Sequence, residues 1–299
     1  MFQSEKTMTI LMLLVPFVWA LSGVSVKYLS FSISEDEVVV YRFFLSALST
    51  FPLLIWFKIP LRISLKNLVI CILLAFFLIG NYRTYFMGMQ RGAVGLGAAL
   101  VTVLIPIFVY IIMIFSKKSK PILKDWLALV IGAIGVVLML DLEQLNLDVL
   151  VSGGNIYFVL AALTYALFTV FASYMRSIHV LTIHFYVCLF GLLIDWNLSY
   201  DSNHLSSLVN MDYVFWINML FISVIAGTAI TALYYTGLRI IGSKKSSAFS
   251  ILTPFFAIAL GAIFFGEMIT IYNAIGILMA VLALIVLNDL KIKNMLPFR

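Results

Sequence analysis

Charge is what this sequence lacks. Lys, Arg, Asp and Glu make up 11% of its 299 residues, whereas a soluble domain carries about 25%. A core enclosed by a polar, water-facing shell is therefore excluded, and the surrounding solvent is lipid. Cysteine is nearly absent: Cys71 and Cys188 each sit inside an apolar run. That excludes a disulfide scaffold and leaves two small hydrophobes. The net charge of +6 does not point to nucleic acid, because the basic residues fall in short groups between apolar runs.

Catalytic signatures are missing too. There is no H-E-x-x-H and no nucleotide-binding loop. ALSG at Ala20–Gly23 lacks the glycine that an intramembrane serine protease would place two residues before Ser22. Asp195 and Asp289 lie near the ends of apolar runs rather than paired within them. GLGAAL (Gly95–Leu100) approaches a dinucleotide fingerprint, but no strand precedes it, so its glycines are expected to pack helices closely. No enzyme activity, metal or cofactor is expected.

What is present is apolar length. Hydrophobic residues make up 64% of the chain, and its mean hydropathy is +1.13. Runs of about 18–25 residues, enough to cross a bilayer, occur at 8–28, 36–57, 67–88, 94–115, 123–140, 154–174, 179–196, 213–237, 246–265 and 269–288. The first exceeds a signal-peptide core and no A-x-A-like cleavage site follows it, so it reads as a true span. The expected fold is an all-α integral membrane protein of ten transmembrane helices.

Basic residues set orientation. With the N-terminus cytoplasmic, Lys6, the 58–66 and 117–124 groups, Arg176, the 239–245 group and the C-terminal Lys291, Lys293 and Arg299 share one side. Most acids, from Glu35, Asp36 and Glu37 to Glu267, fall on the other. Both termini are thus expected in the cytoplasm, with the protein in the cell's inner membrane.

The chain also repeats. VWALSGVSVKY (Val18–Tyr28) aligns with TYALFTVFASY (Thr164–Tyr174), and VVVYRFF (Val38–Phe44) with VLTIHFY (Val180–Tyr186). TYFMGM (Thr84–Met89) aligns with LYYTGL (Leu233–Leu238), and VLIPIFVYII (Val103–Ile112) with ILTPFFAIAL (Ile251–Leu260). The four matches keep one order, so residues 1–145 and 146–299 read as two copies of five spans each. An odd number of spans inverts the second copy in the membrane, a transporter arrangement with its site near the midplane between repeats.

These residues resemble the EamA-type transporters of the drug/metabolite transporter superfamily over nearly the whole chain. The resemblance rests on the aromatic-Ala starts of spans one and six, Arg42-Phe43 and the Tyr-x-x-Gly segments before spans four and nine. Pro106, Pro254 and the FFGE of Phe264–Glu267 complete it. One departure is Ser119, where an acid in line with Glu267 often follows span four; we read it as topological tuning. The resemblance implies a ten-helix bundle with a central cavity that carries small metabolites by alternating access.

Candidate site residues follow from chemistry within the spans. Intramembrane ionisable groups are functional candidates, which singles out Arg42, Arg83 and His184. Each arginine either snorkels to the outer headgroups or binds a backbone carbonyl, or one of them meets an anionic substrate group; together they would form a positive vestibule at the outer mouth. His184, the repeat partner of Arg42, is either proton-sensitive or structural. Asn81, Tyr82 and Tyr85 crowd around Arg83, and Trp19 and Tyr165 are repeat equivalents. All five suit an apolar cavity with a few orienting polar tips, or ordinary packing. Pro106 and Pro254 interrupt their spans and mark static kinks or flexing points.

The function expected is secondary transport of small metabolites, first among them amino acids and amino-acid-derived compounds. A coupling proton or a counter-substrate would supply the energy. The alternative is a lipid flippase or a non-transporting membrane assembly component.

Overall fold

A computed structural model describes residues 5–116, 122–139, 154–175, 177–199, 211–241, 249 and 252–287. Residues 117–121, which hold the lysines of the SKKSK loop, the acidic 141–148 segment, Arg176, the 244–245 lysines and the basic C-terminus lie outside the described residues.

Among the described residues the chain is helical throughout. In order it forms α1 (Glu5–Leu11), α2 (Leu14–Leu29), α3 (Glu35–Trp56), α4 (Leu65–Arg91), α5 (Val94–Phe115) and α6 (Leu123–Met139). There follow α7 (Asn155–Ala172), α8 (Val180–Leu198), α9 (Tyr213–Leu220), α10 (Ile230–Ile240), α11 (Thr253–Phe265) and α12 (Ile271–Leu287). A π-helix, Phe221–Ala229, joins α9 to α10 without a break. Every apolar run carries helix, and seven of the helical stretches are long and apolar enough to cross a membrane.

The helix ends show why the chain turns where it does. Ser34 opens α3 with a capping box: its hydroxyl accepts from the Glu37 N–H, while the Glu37 carboxylate accepts from the Ser34 N–H at 3.1 Å. Gly266 closes α11 in the left-handed region at φ 64°, which a side chain would resist. That reversal turns Glu267 back toward α5, where its carboxylate accepts from the backbone N–H of Val94 and, at 2.8 Å, of Gly95. Two donors left open at a helix start are thereby satisfied by a negative charge at the positive end of the dipole.

Lys27 of α2 does the converse for α4. Its ammonium donates to the carbonyls of Met89 and Gly92, at the helix's last turn. Lys27 of α2 and Glu267, just past the end of α11, thus bracket the tight α4–α5 turn.

The extensive helix contacts are α6 with α12, α4 and α5 with α7, α5 with α11, α3 and α4 with α8, and α2 with α11. The α4–α7 and α5–α7 contacts close around Phe158, which is fully buried. A side chain at Gly97 would overlap the Phe158 ring, so the glycines of GLGAAL pack helices as expected.

Candidate functional site

A cavity of about 10 Å³, at the lower limit for a single water, lies between helices from both halves of the chain. Val26 of α2, Val38, Val39 and Arg42 of α3, Tyr82, Tyr85 and Phe86 of α4, and Ile222 of the π-helix line it. The walls are apolar and aromatic; Arg42 supplies the charge.

Arg42 is held by a ring rather than by an acid. Its guanidinium carbon stands 3.8 Å from the centre of the Tyr82 ring, a cation–π contact strengthened by desolvation. Tyr82 leans in turn on Phe43, ring centres 5.4 Å apart. The Arg42 Nε is buried and has no hydrogen-bond partner among the described residues.

Arg83, one residue beyond Tyr82 on α4, faces different company. Its Nη1 pairs with Asp36 Oδ1 at 2.6 Å, and its Nη2 and Nε reach Asp195 Oδ1 at 2.7 and 2.8 Å. Nη2 also donates to Ser199 Oγ at 2.6 Å. Asp195 is fully buried, whereas the Asp36 side chain is 34% exposed. The cluster ties α3, α4 and α8 at the end where α3 begins and α4 and α8 finish. Snorkelling does not describe this arginine, because carboxylates have taken the place of headgroups.

The remaining candidates are dispersed. Tyr85 lines the cavity, with its hydroxyl against Gly23: a side-chain carbon there would meet it at 3.1 Å. Asn81 is buried and donates to the Ala161 carbonyl at 2.8 Å, bracing α4 on α7. Trp19 packs on Tyr234 (5.2 Å between centres) in a separate small cluster with Met12 and Val15. Tyr165 stacks on Phe168 at 5.5 Å. His184 lies 3.7 Å from the Cys188 sulfur. Pro106 is inside α5, while Pro254 occupies the first turn of α11, where a missing N–H costs nothing.

Three features were not singled out from sequence. Asp36 and Asp195 complete the Arg83 cluster; matching charges by depth along the spans would have suggested them. Pro52 is a further proline inside a helix. The π-helix packs on α3 through hydroxyls: Ser46 donates to the Ser223 carbonyl at 3.1 Å, and Ser49 meets the Thr228 hydroxyl at 3.0 Å. Segments with i→i+5 bonding are frequent at functional sites, and this one places Ile222 on the cavity wall.

A helical, multi-span membrane protein with a cation-bearing cavity between its helices is the class these observations define. The chain belongs to the EamA-like transporter family, whose model matches twice, over residues 6–141 and 152–289. Similar curated proteins include S-adenosylmethionine uptake transporters of Rickettsia bellii (29% identical over 150 residues, 47% of this chain and 46% of that one) and Rickettsia conorii (31% over 150 residues, with the same shares). That of Rickettsia prowazekii is 29% identical over 152 residues, 50% of this chain and 48% of the relative. The match spans about half the length of these relatives. A solved crystal structure shares the fold with a TM-score of 0.61 at 14% identity, covering 96% of this chain and 98% of the other.

Proposed function

We propose that this chain is a secondary transporter that moves a small, amino-acid-derived metabolite across the inner membrane by alternating access. The observation that carries this reading is the cavity beneath Arg42, whose lining comes from both halves of the chain. Transporters built from inverted repeats hold their substrate at such a boundary.

Ten spans, arranged as inverted repeats over 1–145 and 146–299, are the architecture we infer. The helix contacts support it. Spans two and seven, four and nine, and five and ten each pack on their own counterpart, and the α4–α8 contact is matched by that of the π-helix with α3. A two-fold relation between repeats produces this exchange. Gly135 and Gly276 add to it, since a side chain at either would strike the other's carbonyl.

S-adenosylmethionine, the compound for which the Rickettsia relatives are named, is an amino-acid-derived metabolite and heads the substrate panel. At about 10 Å³ the cavity is far too small for a metabolite, against the roughly 300–1,000 Å³ of an ordinary ligand site, as suits an arrangement closed between two open ones. The Arg83 cluster and the Lys27–Glu267 bracket both lie at the end assigned to the outside, so that end is the closed one. Direct exchange or a coupling proton would supply the energy, and both termini would be cytoplasmic.

Purified protein in liposomes tests the proposal. It should exchange S-adenosylmethionine or an amino-acid-derived compound, and cysteines introduced at Lys118 and Asp201 should label from opposite sides. Lipid translocation without uptake of any soluble metabolite would replace transport with flipping.

A further inference from the structure

The geometry points to Arg42 as the receptor for a carboxylate on the transported molecule, with the Tyr82 ring holding the guanidinium ready for it. This deepens the transport reading and rests on it for the word substrate. The binding itself is a separate claim.

The inference comes from comparing two arginines on adjacent spans. Both are costly within a bilayer unless compensated. Arg83 has two carboxylates within 2.7 Å and a hydroxyl at 2.6 Å, so its charge and its donors are spoken for. Arg42 has no ion pair among the described residues, and its Nε lies buried without an acceptor. It borders a cavity to which the described residues bring no acidic side chain. A half-buried cation without a counter-ion, its Nε out of reach of water, is expensive, and a ring face returns only part of that cost.

The shape of the site narrows what would supply the missing charge. Tyr82 covers one face of the guanidinium and shares a side-chain hydrogen bond with it, while Nε has no acceptor, so a planar anion is met along the Nε edge of the fork. A carboxylate fits that edge. Around it stand Val26, Val38, Val39, Phe86 and Ile222, which offer the rest of the molecule an apolar wall, while the Tyr85 hydroxyl is the nearby polar tip. The class is therefore a monocarboxylate whose remainder packs against aliphatic and aromatic surface. The Arg83 site makes no contribution, so the two arginines do not form one vestibule.

The test uses the full chain in lipid nanodiscs and two ligand pairs: S-adenosylmethionine with its decarboxylated form, and methionine with its decarboxylated amine. Binding is read by thermal shift and tryptophan fluorescence. In at least one pair the carboxylated member should bind about thirtyfold or more tightly than its partner, as loss of one side of a buried charge pair requires. Arg42→Lys, which keeps charge but loses the fork, should weaken that binding. Arg42→Gln should abolish the preference within the pair, and Arg83→Gln should leave the preference in place.

Equal affinity within both pairs, no binding of either carboxylate, or a preference that survives in Arg42→Gln would each overturn the inference. Should Arg42→Gln fail to fold, the Arg42→Lys comparison decides: unchanged affinity refutes the fork. Uptake of both pair members alike into liposomes would refute the Arg42 role and spare the transport reading. Carboxylate preference in binding without any uptake would do the reverse.

Discussion

Arg83 Nη2 and Asp195 Oδ1 stand 2.7 Å apart across the α4–α8 contact, with the aspartate fully buried. The guanidinium offsets the cost of holding a carboxylate at that depth. Removing the arginine alone takes that compensation from the acid, whereas replacing both removes the two charges together. Replacing one member of a buried pair costs about 3–5 kcal/mol, and replacing both by well-packed apolar groups is often neutral. We therefore expect Arg83→Leu to lower the thermal stability of the detergent-solubilised protein sharply. The double variant with Asp195→Leu should regain much of the loss. Equal melting temperatures for the wild type and Arg83→Leu would show that the pair contributes nothing.

Glu267 presents a smaller effect of a different kind. Its two carboxylate oxygens accept from the Val94 and Gly95 N–H groups, and Lys27 lies close enough to feel its charge. Glu267→Gln keeps an acceptor and loses the charge at the helix start, about 0.3–1 kcal/mol. Glu267→Ala leaves both donors unmet at a half-buried site, about 1–3 kcal/mol each if water does not replace the carboxylate. The order of melting temperatures should be wild type, then Gln, then Ala. If Ala matches Gln, water has taken over the cap and the acid is free to serve topology alone.

Much of the fold was legible because lipid forces long apolar runs, and each run from 8–28 to 269–288 carries helix. The capping box at Ser34 is likewise written locally, in Ser-x-x-Glu. The Arg83 cluster was not, because Asp195 lies 112 residues away in sequence and its role depends on how the helices meet. Arg42 stood out as an arginine among valines and aromatics, yet nothing local distinguished it from Arg83. Only the partners do. Trp19 and Tyr165 suited a cavity equally well on paper, but large rings are satisfied by other rings, and here Tyr234 and Phe168 take them. The π-helix has no local signature in FISVIAGTA; its hydroxyl contacts with α3 join positions 177 and 179 residues apart in sequence. Pro254 reads like Pro106 in the alignment, but α11 begins at Thr253 and makes it a first-turn proline.

The cluster around Arg83 also bears on movement, and a native thiol can report it. Cys188 is buried beside His184 and within the field of Arg42, so a water-soluble thiol reagent reaches it only when the bundle parts. Cys71 is buried as well and is removed by Cys71→Ala to leave one reporter. Asp36 is the partner that joins α3 to the cluster, and it is about a third exposed, so its pairing contributes about 1 kcal/mol or less. Losing it should leave the fold intact while raising the population open at that end by up to about fivefold. In right-side-out vesicles, Asp36→Asn should therefore speed modification of Cys188 by an impermeant maleimide several-fold over the Cys71→Ala background. Asp125→Asn, on the first turn of α6 and outside the cluster, should not. An unchanged rate in Asp36→Asn would mean that the ion pair braces α3 without holding the cavity shut.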